Sequence, residues 1–205
     1  MLLTIVALVV GGVIGLATGG KLRHAASRRI AWWGLLVIGF GLELAADRVL
    51  TGSASYAAMI AGPVCLLLWA AGNARLTGVG LVALGVLLNG LVLTLDRGMP
   101  VERAALARAG VIATRAAPVS VGGHRHHVAT AADRFRVLDD RIALGPSHQV
   151  VSAGDIVLAV GTANLVVHLL WYQPVYQRSR RPRWANEGLG SRLARAFGRR
   201  GPSVT

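Results

Sequence analysis

Five apolar stretches, roughly 1–19, 30–50, 54–72, 76–95 and 151–171, divide this chain. Each is about the length needed to cross a hydrocarbon core of ~30 Å at ~1.5 Å of helix per residue. A soluble protein with 54% hydrophobic residues would mix them with charge, whereas here the charges fall almost wholly between the runs. The pattern predicts an all-α integral membrane bundle of five transmembrane helices. Residues 1–171 form its membrane domain, including a partly helical extracytoplasmic segment at 96–150, and residues 172–205 form a basic cytoplasmic tail.

The charges predict an orientation. The first connection holds Lys21, Arg23, Arg28 and Arg29, the third holds Arg75, and the tail holds eight Arg. With five crossings these share one side, giving it thirteen basic residues against one acid, Glu187. The other side carries nine basic residues and eight acids. Short basic connections stay in the cytoplasm, so the N-terminus is expected outside and the C-terminus inside. The first stretch has its positive residues after the apolar run, the reverse of a signal peptide, and reads as a retained helix. A net charge of +13 divided between two faces in this way is expected to serve lipid, not nucleic acid. Arg outnumbers Lys by 21 to one, and Ala, Gly and Val abound, a composition that points to a bacterial cytoplasmic membrane.

Few polar residues lie inside the stretches. Asn89 and Asn164 are expected to hydrogen-bond between helices, and His168 to sit near the cytoplasmic interface. Trp32, Trp33, Trp171 and Tyr172 suit an interfacial aromatic belt. Gly11, Gly15 and Gly19 recur every fourth residue and allow close helix approach, either within the chain or at a homo-oligomer or partner seam. Cys65 is alone, so it makes no internal disulfide and reads as a small apolar filler.

The segment 96–150 opens with Asp96-Arg97-Gly98-Met99-Pro100-Val101. Gly98 permits a sharp turn, Pro100 suits the first position of a helix, and 101–113 reads as a short Ala-rich helix. At its far end Ser152 and Asp155 have the spacing of an N-cap and its third residue. The Gly98-Met99-Pro100-Val101 turn after a helix containing Asn89 is one part of a likeness. His127, the 133–144 stretch and Ser152-Ala153-Gly154-Asp155 are the other. Together they resemble a family of small bacterial multi-pass membrane proteins defined as a domain of unknown function. The resemblance covers roughly residues 1–168 and implies the topology above and no reaction.

The predicted fold gathers Glu43, Asp47, Asp96 and Asp155 at one depth, with Arg48, Arg97, Arg134 and Arg141 from adjoining loops. Such a set can brace the outer segment onto the bundle, or hold a divalent cation or a phosphorylated lipid headgroup. His124, His126 and His127 are weak metal candidates, because their spacing lacks the helical i, i+4 pair. No GxSxG elbow, Walker loop or HExxH motif occurs, and no cofactor is expected. In the tail, Arg178, Arg180, Arg181, Arg183, Arg192 and Arg195 are expected to lie on the anionic inner leaflet. The leading expectation is a non-enzymatic assembly or lipid-binding accessory protein. The alternative is a membrane-embedded enzyme or ion-binding protein acting on a lipid-linked substrate at the outer face.

Overall fold

The structure, a computed structural model, describes residues 2–113, 126–135 and 137–171. It is mostly helical. The five apolar stretches become α1 (Leu2–Ala17), α3 (Trp33–Arg48), α4 (Gly52–Gly72), α5 (Val79–Leu95) and α7 (Ala153–Trp171). Two short helices, α2 (Leu22–Ser27) and α6 (Arg103–Arg108), lie between them. By length and composition α4 and α7 are long and apolar enough to cross a membrane. The helices α1 and α5 are as apolar but only 16 and 17 residues long.

The helices pack as a row, α1–α7–α5–α4–α3, so α1 and α3 are its ends and share no packed seam. The α1–α7 seam is close because glycine occupies it. A side-chain carbon at Gly11 would lie 2.6 Å from the Ala163 carbonyl oxygen, and one at Gly15 would lie 2.6 Å from Leu170 Cδ1. Gly19 is not part of this seam. Its φ of +96° ends the helix with open space around it, a left-handed turn that glycine adopts at no steric cost. On its other faces α1 exposes Ile5, Val9 and Val13 by 55, 59 and 61%.

The segment after α5 departs from the all-α expectation. Among its described residues are four three-residue strands, β1 (Met99–Val101), β2 (His126–Val128), β3 (Ile142–Leu144) and β4 (Gln149–Val151). The first two pair in parallel, Met99 opposite His126 and Val101 opposite Val128. The last two form an antiparallel hairpin around a 3-10 turn at Gly145–Ser147. Pro100 is therefore not the first residue of a helix but the buried centre of β1, where its carbonyl accepts the Asp140 amide at 2.9 Å. A strand position that needs only an acceptor tolerates proline's missing N–H. The expected 101–113 helix shrinks to α6, because Val101 is drawn into pairing with Val128 and Asp140.

This small cap is seated on the bundle by apolar contact. Met99 joins Ala46, Ala58, Met59, Val92 and Leu93 in one buried cluster, and Phe135 and Leu138 pack against it. A second cluster, built on Leu66, Trp69, Val79, Val82 and Val86, holds α4 to α5 at the opposite end.

Candidate functional site

All five long helices and the cap contribute to one cavity of about 740 Å³, so the helical row curls around a cleft. Its lining follows helical periodicity. Leu36, Phe40, Glu43 and Asp47 come from α3; Val82, Val86, Asn89 and Leu93 come from α5; Asp155, Leu158, Thr162, Leu165 and Leu169 come from α7. Steps of three and four residues keep each set on one helix face. Asp155 and Leu169 mark the two ends along α7, about 21 Å apart at the helical rise. The end near Leu169 is apolar, with Ile30, Leu36, Leu66 and Trp69 around it, and the end beneath the cap is polar.

At the polar end a histidine of the cap stands between two carboxylates. His126 Nδ1 lies 3.9 Å from Asp47 Oδ1, and His126 Nε2 lies 3.8 Å from Asp140 Oδ2. Asp47 arrives on the last turn of α3. Asp140 is fixed by the exchange of hydrogen bonds with β1, its amide to Pro100 and its carbonyl to the Glu102 amide at 3.0 Å. His126 is placed by the pairing of β2 with β1. The separations exceed the ~3.2 Å of a direct N–H···O bond and suit an ion pair when the imidazole is protonated. Arg48 adds a bond from Nε to Asp47 Oδ2 at 3.1 Å, with its side chain 70% exposed.

Asp155 has a different situation. The Ser152 hydroxyl accepts the Asp155 amide at 3.1 Å, and the Ser152 amide donates to Asp155 Oδ2 at 3.1 Å, which is a capping box at the start of α7. Asn89 closes the ring from α5, donating through Nδ2 to Asp155 Oδ1 at 2.7 Å and accepting the Ser152 hydroxyl at 3.1 Å. Both carboxylate oxygens are thus engaged, and Ser152 is fully buried. These residues brace α5, α7 and the cap at the roof of the cleft.

Of the residues expected to share one depth, Glu43, Asp47, Arg48 and Asp155 line the cleft, whereas Asp96, Arg97 and Arg134 do not. Asp96 Oδ1 instead accepts the backbone amide of Arg134 at 3.1 Å, tying the cap to the end of α5. Arg97 takes a left-handed turn at φ 54° just before the φ 155° of Gly98, which swings the chain from α5 into β1. Arg141 approaches Glu102 at 3.5 Å, and Arg108 approaches the same oxygen at 3.8 Å, a surface pairing on the cap that the sequence reading lacked. His127 bonds to Asp133 at 3.1 Å. Cover over Asp133 raises its pKa, but the Thr130 amide, His127 and the Thr130 hydroxyl outweigh that and leave it below the ordinary 3.8.

Asn164 gives its carbonyl to His168 Nδ1 at 2.9 Å within α7. Among the described residues no three His, Cys, Asp or Glu side chains converge to hold a metal ion. His124 and the tail residues Arg178, Arg180, Arg181, Arg183, Arg192 and Arg195 lie outside the described residues. The sequence reading named His126 only as a weak metal candidate and missed its place between Asp47 and Asp140. The available signal was that 36, 40, 43 and 47 share a face of α3, which marks Asp47 as facing the same space as Phe40.

No curated protein and no solved structure matches the chain. The model of a family of unknown function, DUF5317, matches residues 29–167, which takes in α3, α4, α5, the cap and most of α7 but not α1. Two thirds of the chain fall within that match, and the protein belongs to this family of unknown function.

Proposed function

We propose that the protein is a multi-pass protein of the bacterial cytoplasmic membrane, with five crossing helices, the N-terminus outside and the C-terminus inside. In this reading it is a non-enzymatic, lipid-binding accessory protein whose cleft holds an amphiphile. The carrying observation is the cavity of about 740 Å³, apolar at one end and polar at the other, between helices whose outer faces are also apolar. Its volume falls within the roughly 300–1,000 Å³ typical of small-molecule sites. The unpacked edge between α1 and α3 supports a lateral entrance, through which an apolar chain passes from the bilayer without crossing water. The headgroup then rests beneath the cap, at Asp47, His126 and Asp140. Helices of 16 and 17 residues span a core of ~30 Å when the ends are extended by flanking residues or the bilayer thins. The Arg-rich tail rests on the anionic inner leaflet, in the same reading.

A second reading is favoured by one observation, the placement of His126 between two carboxylates. It is an enzyme or ion-binding protein at the outer face, acting on a lipid-linked substrate with His126 as proton carrier. The test begins with the full chain purified in mild detergent and the amphiphiles it retains identified by mass spectrometry. Thr162→Trp, at mid-depth of the cleft, should cut the retained amount about tenfold while the protein still reaches the membrane. Equal retention by that variant would remove the cleft as the binding place. Under the second reading Asp47→Asn accumulates the bound substrate unconverted, whereas a pure binder holds the same molecule before and after the change.

A further inference from the structure

A separate cavity of about 300 Å³ lies at the opposite end of the molecule from the cap, lined by Arg28, Arg75, Thr77 and His168 with Leu165 and Trp171 among its apolar walls. We propose that it is a phosphate-binding site, made for the headgroup of an anionic phospholipid or for a soluble phosphate. The inference does not rest on the cleft.

The chain brings its cationic residues together by buried hydrogen bonds. Asn73, 5% exposed, donates to the Ala31 carbonyl at 2.8 Å and accepts the Ala31 amide at 3.0 Å, which clamps the segment after Arg28 onto the end of α4 beside Arg75. His24, also buried, bonds the Leu170 carbonyl at 3.0 Å, and the Lys21 amide donates to the same oxygen at 2.9 Å. These bonds dock α2 on the last turn of α7, next to His168 and Trp171. The Trp171 indole donates to Thr18 Oγ at 3.1 Å, which fixes its ring at the rim.

Two arginines therefore line one small space, and the residues lining it include no Asp or Glu. Arg75 makes no hydrogen bond or ion pair with any described residue. Arg forks match phosphate oxygens in pairs, and the Thr77 hydroxyl supplies another donor. Thr77 also stands two residues before α5, so the positive end of that helix dipole lies on the same side. The volume admits a headgroup and not a whole lipid, and Leu76, Leu165 and Leu169 form the apolar wall along which an acyl chain would begin. Basic pockets between helices at a cytoplasmic surface are an established way to hold acidic headgroups.

The test uses the full chain in nanodiscs of phosphatidylcholine with and without phosphatidylglycerol, with native mass spectrometry to count retained lipid. Wild type should retain phosphatidylglycerol in preference to phosphatidylcholine. Arg75→Gln should weaken that preference about fivefold, and Arg28→Gln with Arg75→Gln should weaken it further. Arg141→Gln, on the cap, should leave it unchanged. Arg75→Lys should fall between, since it keeps the charge and loses the fork. Lipid held by the tail is common to all variants, so the difference isolates the cavity. In the second arm inorganic phosphate is titrated into phosphatidylcholine nanodiscs while thermal unfolding is followed. Stabilisation of wild type but not of Arg75→Gln, without a lipid preference, would assign the same site to soluble phosphate. If wild type favours neither probe, or if Arg75→Gln and the double variant match it with both, the proposal is overturned.

Discussion

Ser152 shows how much one residue can hold. Its hydroxyl accepts the Asp155 amide and donates to Asn89 Oδ1, and its own amide is received by Asp155. Replacing it with alanine removes an N-cap and leaves the half-buried Asn89 amide oxygen without that donor, together about 2 kcal/mol. Thermal unfolding of Ser152→Ala in detergent should show a lower midpoint, with Ser152→Thr close to wild type. An unchanged midpoint for alanine would mean the ring is dispensable. The capping half of this ring is legible in the sequence because Ser152 and Asp155 are three positions apart and cap chemistry is local. Asn89 could be read only as an interhelical donor, since its partner lies 66 positions away. The His126 pairing was hidden for the same reason. Nothing near Asp47 in sequence announces that a strand of the cap will set an imidazole beside it.

At the scale of elements, the helices were legible and the cap was not. Apolar length is a property of each segment alone, and the stretches read from it overlap the observed helices with ends shifted by a few residues. The strands exist only through partners far along the chain. Met99-Pro100-Val101 has the turn and proline signals of a helix start, and pairing with 126–128 and Asp140 overrides them. The glycine spacing in α1 was read as a close-packing stripe, and the structure resolves which members pack. Gly11 lies against the Ala163 backbone, which cannot retreat as a side-chain tip could, whereas Gly12 has nothing within 4 Å. Gly11→Leu should therefore separate α1 from α7 and destabilise the protein by about 2 kcal/mol or more. Gly12→Leu, facing outward, should cost little. The comparison is made by thermal unfolding and by disulfide trapping between cysteines placed in α1 and α7. Equal behaviour of the two variants would show that the seam does not hold α1.

The whole molecule has two chemically different ends. Lys21, Arg23, Arg28, Arg29 and Arg75 gather at one, with Trp32, Trp33 and Trp171 beside them. At the other, Asp47, Asp96, Asp133 and Asp140 are engaged with the cap or the mouth of the cleft. In the orientation proposed above this polarity sets the direction, because a cluster of positive charge near helix ends resists translocation while carboxylates oppose it little. Two of the proposals depend on it: a phospholipid headgroup at the phosphate site needs the acidic inner leaflet, and the cleft's polar mouth needs the outer surface. Single cysteines at Ser27 and Ser147, in a Cys65→Ser background, separate the possibilities with an impermeant maleimide. Ser147 in the cap should react in intact cells, and Ser27 in α2 only after permeabilisation. The reverse pattern would turn the protein over, putting the basic cavity outside and the amphiphile mouth inside, and would remove the leaflet argument for the phosphate site. Equal labelling of both in intact cells would put the two ends on one side, which five crossings cannot produce, and the bundle would have to be threaded differently.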